Sequence, residues 1–98
     1  MKIKQTLNNN ELTIALEGEL NSATAPELDE VISNSLKGIQ TLIFEFKDLS
    51  YISSAGLRIL LTSKKVMDKQ GKMIVRNANE SVMEIFEITG FANILDFE

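Results

Sequence analysis

The residues best placed to do chemistry in this chain are two consecutive serines, Ser53 and Ser54, at the predicted start of a helix. They follow an apolar stretch and precede an amphipathic run from about Ala55 to Lys69. The first turn of a helix offers unpaired backbone N–H groups and the positive end of the helix dipole, which favour an anion. A serine there can simply cap the helix. Alternatively, it can accept a phosphate that the helix itself then stabilises.

The composition removes most other kinds of chemistry. The chain contains no histidine and no cysteine, and therefore lacks the commonest general base, the commonest metal ligand and any thiolate. A hydrolase or phosphotransferase with Ser54 as nucleophile would need Lys64 or Lys65 as its base, at a distance of about 15 Å along the helix. No Gly-rich phosphate-binding loop occurs. The composition therefore predicts a protein that is not an enzyme and that holds no metal.

The length and the net charge of the chain further limit the class of protein. The 98 residues, 44% apolar and 24% charged, predict one globular domain spanning residues 1–98. The net charge of −4 argues against nucleic-acid binding, which needs a basic surface. The N-terminus has no long apolar segment and no apolar run approaches 18 residues. We therefore expect a cytoplasmic protein without direct membrane insertion.

The apolar periodicity predicts the element order β-β-α-β-α-β-α-β. A hairpin at about 3–16 precedes a helix whose start, Thr24 to Glu27, resembles a capping box. A central strand over 41–46 leads through a short polar loop to the helix that begins near Ser54. A short strand, a third helix capped by Asn77 or Asn79, and a last strand follow. This order predicts an α/β (α+β) fold with a mixed sheet of four to five strands and helices mainly on one face.

Other residues near the serine pair are candidates for partner binding. Asn21 and Asp48 are expected in two loops that approach the same end of the sheet. Leu57 and Leu61, one turn apart, either widen the buried face of the helix or form a partly exposed apolar pair that docks a partner. Gly56 would let a partner backbone approach closely. Alternatively, a glycine is present there for a steric reason within this chain, near the start of the helix.

Two segments of the chain resemble the STAS domain family, in particular the bacterial anti-sigma factor antagonists. One is Gly18-Glu19-Leu20-Asn21-Ser22 followed by Thr24-Ala25, and the other runs from Asp48 through Ser53-Ser54-Ala55-Gly56-Leu57. The order of elements matches the family fold along essentially the whole chain. The resemblance implies a partner switch in which the unmodified antagonist binds an anti-sigma factor serine kinase and a sigma factor is released. Phosphorylation at Ser54 would end that binding, and a serine phosphatase of the metal-dependent type would restore it. ATP would belong to the kinase, so the resemblance implies that this chain needs no cofactor.

This chain departs from the family pattern at two positions. Many members carry Asp immediately before the acceptor serine and Asp after Gly-Glu-Leu, where this chain has Ser53 and Asn21. The differences bear on kinase recognition rather than on the fold, and Ser53 becomes a second possible acceptor. They keep open a non-switching STAS module, such as an accessory subunit of a lipid-transport ABC system or a scaffold component.

The predicted docking surface combines the residues of both segments, with Leu57 as first apolar anchor and Leu61 as second. Gly56→Trp is expected to abolish binding and leave the fold intact. The chain is expected to be a monomer or a weak dimer. The residues assigned to partner binding are Asn21, Ser22, Asp48, Ser53, Ser54, Ala55, Gly56, Leu57 and Leu61.

Overall fold

Five strands pair in the order in which they occur along the chain, in a computed structural model that describes residues 1–98. The first two strands form an antiparallel hairpin, and each later strand runs parallel to its predecessor. The strands are β1 (Lys2–Asn8), β2 (Glu11–Leu20), β3 (Thr41–Ile52), β4 (Lys72–Arg76) and β5 (Asp96–Phe97). The predicted mixed sheet is confirmed, with β3 at its centre.

Three helices connect the parallel strands, and all of them pack on one face of the sheet. They are α1 (Ala25–Ser35), α2 (Ser54–Asp68) and α3 (Glu80–Thr89), and a short 3-10 turn at Phe91–Asn93 precedes β5. One continuous core joins their apolar faces to alternate residues of the strands. Its largest fully buried members are Phe44, Phe46, Phe86, Ile14, Leu16, Leu20, Leu28, Leu42, Leu49, Ile52, Leu60 and Met67.

The central strand is longer than the sequence pattern predicts, because β3 continues through residues 47–52. Two register shifts against β2 each place an extra residue in β3, so that beyond Phe46 only every third residue, Leu49 and Ile52, is buried. Bulges of this kind remove the period-two pattern by which a strand is recognised. The predicted polar loop is therefore wrong, and Asp48 lies within the strand, paired with Glu17.

The third helix has well-defined ends. Of the two candidate caps, Asn79 is the one used, since its side-chain oxygen accepts a hydrogen bond from the backbone N–H of Val82 at 2.8 Å. Gly90 ends the helix in the left-handed conformation with φ of 84°. None of the three helices is both long and apolar enough to span a bilayer.

Candidate functional site

The candidate site lies at the edge of the sheet where two parallel strands end side by side. Leu20 at the end of β2 pairs with Ile52 at the end of β3, and the next residue, Ser53, donates its backbone N–H to the Leu20 carbonyl at 2.8 Å. A loop of residues 21–24 connects β2 to α1, and Ser53 alone connects β3 to α2, so the starts of both helices are held at this edge. The geometry brings the loop after β2 next to the serine pair, as predicted.

The first turn of α2 has unpaired donors and no anion of its own. Ser53 is the extended N-cap residue, and its carbonyl accepts the first helical hydrogen bond, from the N–H of Leu57 at 2.9 Å. No side chain caps the helix, so the N–H groups of Ser54, Ala55 and Gly56 have no protein partner. The first turn also lacks an acidic residue. The arrangement suits a negatively charged group placed at the start of this helix.

The two serines occupy different environments. Ser54, the first residue of the helix, is exposed. The Oγ of Ser53 has less than 1 Å² of accessible surface and makes no hydrogen bond. A hydroxyl buried to this degree is not available to a partner protein, so the predicted partner contact through the Ser53 side chain is not supported. Of the two serines, only Ser54 is exposed enough for a modifying enzyme to reach its hydroxyl.

The loop after β2 is shaped by Asn21. Its side-chain Oδ1 accepts hydrogen bonds from the backbone N–H groups of Ala23 at 3.0 Å and Thr24 at 3.1 Å. Thr24 Oγ1 in turn accepts from the N–H of Asn21 and donates to the Glu19 carbonyl. The predicted capping box at Thr24 is wrong, because this hydroxyl bonds backward to the loop and makes no cap bond to α1. Asn21 therefore fixes the turn that presents Ser22.

A groove runs between α1 and α2 beside the serine pair. Ser22 and Ala55, both predicted from sequence, lie on opposite walls of it. Arg58 and Asp29 are the charged residues that line the groove. Arg58 is exposed and belongs to neither of the molecule's two ion pairs, Lys64–Asp68 and Arg76–Glu98. The sequence analysis missed Arg58, although its position four residues after Ser54 was a usable signal.

Two predicted docking residues prove to be parts of the core. Leu57 is only 7% exposed, so its prediction as a partly exposed anchor is wrong, and it widens the buried face of α2 instead. Gly56 is buried, and a Cβ built on it would lie 2.6 Å from Leu20 Cγ and 2.8 Å from Ile52 Cγ1. This glycine therefore makes room for the end of β2 and not for a partner. A Gly56→Trp variant would disrupt the core, contrary to the expected intact fold.

Two further predicted residues lie at different distances from the serines. Leu61 is half-buried and follows Ser54 by seven residues, which places it on the same helical face about 10 Å away. Asp48 lies on the sheet beside Lys2 and Lys4, five strand residues or roughly 15 Å from Ser53. The site therefore includes Leu61 at its margin and excludes Asp48.

An exposed aromatic residue, Tyr51, was also missed by the sequence analysis. It lies near the end of β3, two residues before Ser53, and remains 44% exposed. Large apolar side chains exposed beside a candidate site are typical of binding surfaces. It was missed because residues 47–52 were predicted as a loop, and a loop pattern does not predict which side chains are exposed.

Known proteins similar to this chain carry names that agree with the resemblance. The chain is 36% identical to BtrV of Bordetella bronchiseptica, an anti-sigma factor antagonist by name, over 96% of this chain and 83% of that protein. It is 31% identical to the anti-sigma-B factor antagonist of Bacillus subtilis, over 91% of this chain and 83% of that protein.

Solved structures agree in fold. The unphosphorylated form of the anti-sigma factor antagonist SpoIIAA matches with a TM-score of 0.86 and 21% identity over 99% of this chain and 88% of that chain. The phosphorylated Bacillus form matches with a TM-score of 0.77 and 20% identity over 99% and 91%. The STAS domain model covers residues 2–98. This chain therefore belongs to the STAS domain family.

Proposed function

We propose that this chain is an anti-sigma factor antagonist that works by partner switching. The unphosphorylated form binds an anti-sigma factor that is also a serine kinase, and a sigma factor is thereby released. Phosphorylation at Ser54 ends the binding. The observation that carries this proposal is the exposed Ser54 at the start of α2, where the first-turn N–H groups are unpaired and no acidic residue is present.

The difference in burial between the two serines supports Ser54 as the acceptor. A kinase must bring the attacking oxygen in line with the γ-phosphate, and this requires access to the hydroxyl. Ser54 is exposed, whereas the Ser53 Oγ has less than 1 Å² of accessible surface. Phosphorylation of Ser53 would first require the N-cap of α2 to open.

The docking surface that fits this proposal is the exposed face of α2 together with the neighbouring loop. Ser54, Arg58 and Leu61 lie on one side of the helix, since residues four and seven apart share a helical face. Ser22 extends this surface across the groove toward α1. Leu61 takes the place of the buried Leu57 as apolar anchor, and Tyr51 adds an exposed aromatic side chain.

Phosphorylation would act locally on such a surface. It adds about −1.5 to −2 charges and three acceptor oxygens. The unpaired N–H groups of the first turn accommodate that charge, so the helix has no reason to unfold. Binding is lost because charge and bulk then occupy the docking face. A penalty of roughly 3–4 kcal/mol would weaken the complex by a few hundredfold. A metal-dependent serine phosphatase would complete the cycle, and this chain needs no chemistry of its own.

The test uses the purified chain with the anti-sigma factor kinase from the same organism. We expect the kinase and ATP to modify the wild-type chain and the matched control Ser53→Ala, and not Ser54→Ala. Calorimetry without ATP should give similar affinities for wild type and Ser54→Ala, and at least about 100-fold weaker binding for the phosphorylated chain. Phosphate transfer to Ser54→Ala, or undiminished binding of the phosphorylated chain, would refute the proposal.

A further inference from the structure

We propose that Arg58 binds the phosphate of phosphorylated Ser54 within the same helix. The phosphate would then withdraw the guanidinium from the docking surface in addition to placing negative charge on it. This inference rests on the proposed function and deepens it, because it concerns how phosphorylation of the same serine changes the docking surface.

The spacing of the two residues brings them together. Ser54 and Arg58 are four residues apart in α2, so their Cβ atoms lie about 5–6 Å from each other. Both residues are exposed. An anion that precedes a cation by four residues is also the more favourable orientation along a helix. Arginine suits this role because its planar fork of N–H donors matches phosphate oxygens.

Arg58 is free to move toward the phosphate. Its guanidinium is in no ion pair and donates no hydrogen bond, although the carboxylate of Asp29 lines the same groove. No existing interaction would have to break when the phosphate arrives. In the unmodified chain this cation is instead available to carboxylates of a partner.

A second observation at the same helix end points to an anion. The buried Oγ of Ser53, the N-cap residue, lacks any hydrogen-bond partner. Buried hydroxyls are normally satisfied, so an orphan next to the unpaired first-turn N–H groups marks an incomplete polar site. A phosphate on Ser54 would place acceptor oxygens beside the unpaired first-turn N–H groups while Arg58 binds it from the exposed side.

Lys65 provides a matched control. It is exposed, unpaired and on the same face of α2, but it follows Ser54 by eleven residues, or about 16 Å. A general effect of positive charge on α2 would involve both cations, whereas direct phosphate binding involves Arg58 alone.

The test measures the second pKa of the phosphate by ³¹P NMR titration. Phosphoserine is incorporated at position 54 during synthesis of the full chain, in wild type, Arg58→Gln and Lys65→Gln. Because a nearby guanidinium favours the dianion, we expect the phosphate pKa to be lower in wild type than in Arg58→Gln by about 0.3 unit or more. Lys65→Gln should keep the wild-type value.

Equal pKa values in wild type and Arg58→Gln would overturn the inference, as would equal shifts in both variants. Heteronuclear NMR spectra of each protein establish that the fold is retained, which is expected because Arg58 is exposed. Since the phosphate is installed without a kinase, this result is independent of whether Ser54 is phosphorylated in cells. Failure of the proposed function and failure of this inference are therefore distinguishable.

Discussion

Gly56 is held against the end of β2 so closely that a side chain there must displace core atoms. A Cβ would approach Leu20 Cγ to 2.6 Å, and both Leu20 and Ile52 are fully buried. We expect Gly56→Ala to lower the free energy of unfolding by about 1–2 kcal/mol, because overpacking outweighs the better helix propensity of alanine. Urea denaturation measures this change.

Ser54→Ala is the matched control for Gly56→Ala, since it lies two residues earlier in the same helical turn and is exposed. Its stability should stay within about 0.5 kcal/mol of wild type. An unfolding free energy for Gly56→Ala equal to or above that of wild type would show that the core at this point is looser than the structure indicates.

Residue types in the sequence identified the serine pair, and the family resemblance selected Ser54, but neither predicted the burial of its neighbours. Gly56 is buried because Leu20 at the end of β2 lies against the first turn of α2, and this contact joins residues more than thirty positions apart. No local pattern encodes it. Arg58 could have been found, since the four-residue spacing from Ser54 is visible in the sequence.

At the scale of elements, a negative charge added at the start of α2 should change the stability of the protein. Its first turn has no acidic residue and no side-chain cap. We therefore expect Ser54→Asp to raise the free energy of unfolding by about 0.3–1 kcal/mol at low ionic strength relative to the neutral control Ser54→Asn. About 1 M NaCl should remove most of the difference. Equal stabilities of the two variants at low salt would contradict the account of this helix end.

The start of α3 depends on a single side chain with two roles. Asn79 Oδ1 accepts from the Val82 N–H, and its Nδ2 donates to the Leu49 carbonyl of β3 at 2.9 Å. We expect Asn79→Ala to cost about 1–2 kcal/mol of stability in urea denaturation. Asn79→Asp keeps the capping oxygen and loses the donor to Leu49, so its stability should lie between those of wild type and Asn79→Ala. An aspartate variant no more stable than the alanine variant would show that the cap contributes little.

The order of elements was predictable from sequence, and the end of β3 was not. A run of apolar residues on both faces over residues 42–46 marks the strand, and glycine and asparagine mark the ends of α3. Beyond Phe46 the two bulges change which side chains face the core, so a real strand has the pattern of a polar loop. The same irregularity explains the wrong placement of Asp48 and the missed Tyr51.

At the scale of the whole molecule, Ser54 lies at one end of the sheet and outside the hydrophobic core. The helices cover one face of the sheet, and the serine pair lies at the edge where β2 and β3 end. Phosphorylated Ser54 should therefore change backbone amide chemical shifts only in the first turns of α2 and the loop after β2. A ¹H–¹⁵N spectrum of each form measures this. Widespread shifts in β1 or α3 would indicate a global rearrangement and contradict a local switch.

The central claim, that Ser54 is the switch, is tested most directly by intact-mass analysis and phosphosite mapping of the chain purified from its native cells. We predict a species heavier by about 80 Da, the mass of one phosphoryl group. That species should map to Ser54, disappear in Ser54→Ala and persist in Ser53→Ala. Absence of the phosphorylated species under every growth and stress condition, or its assignment to Ser53, would contradict the account.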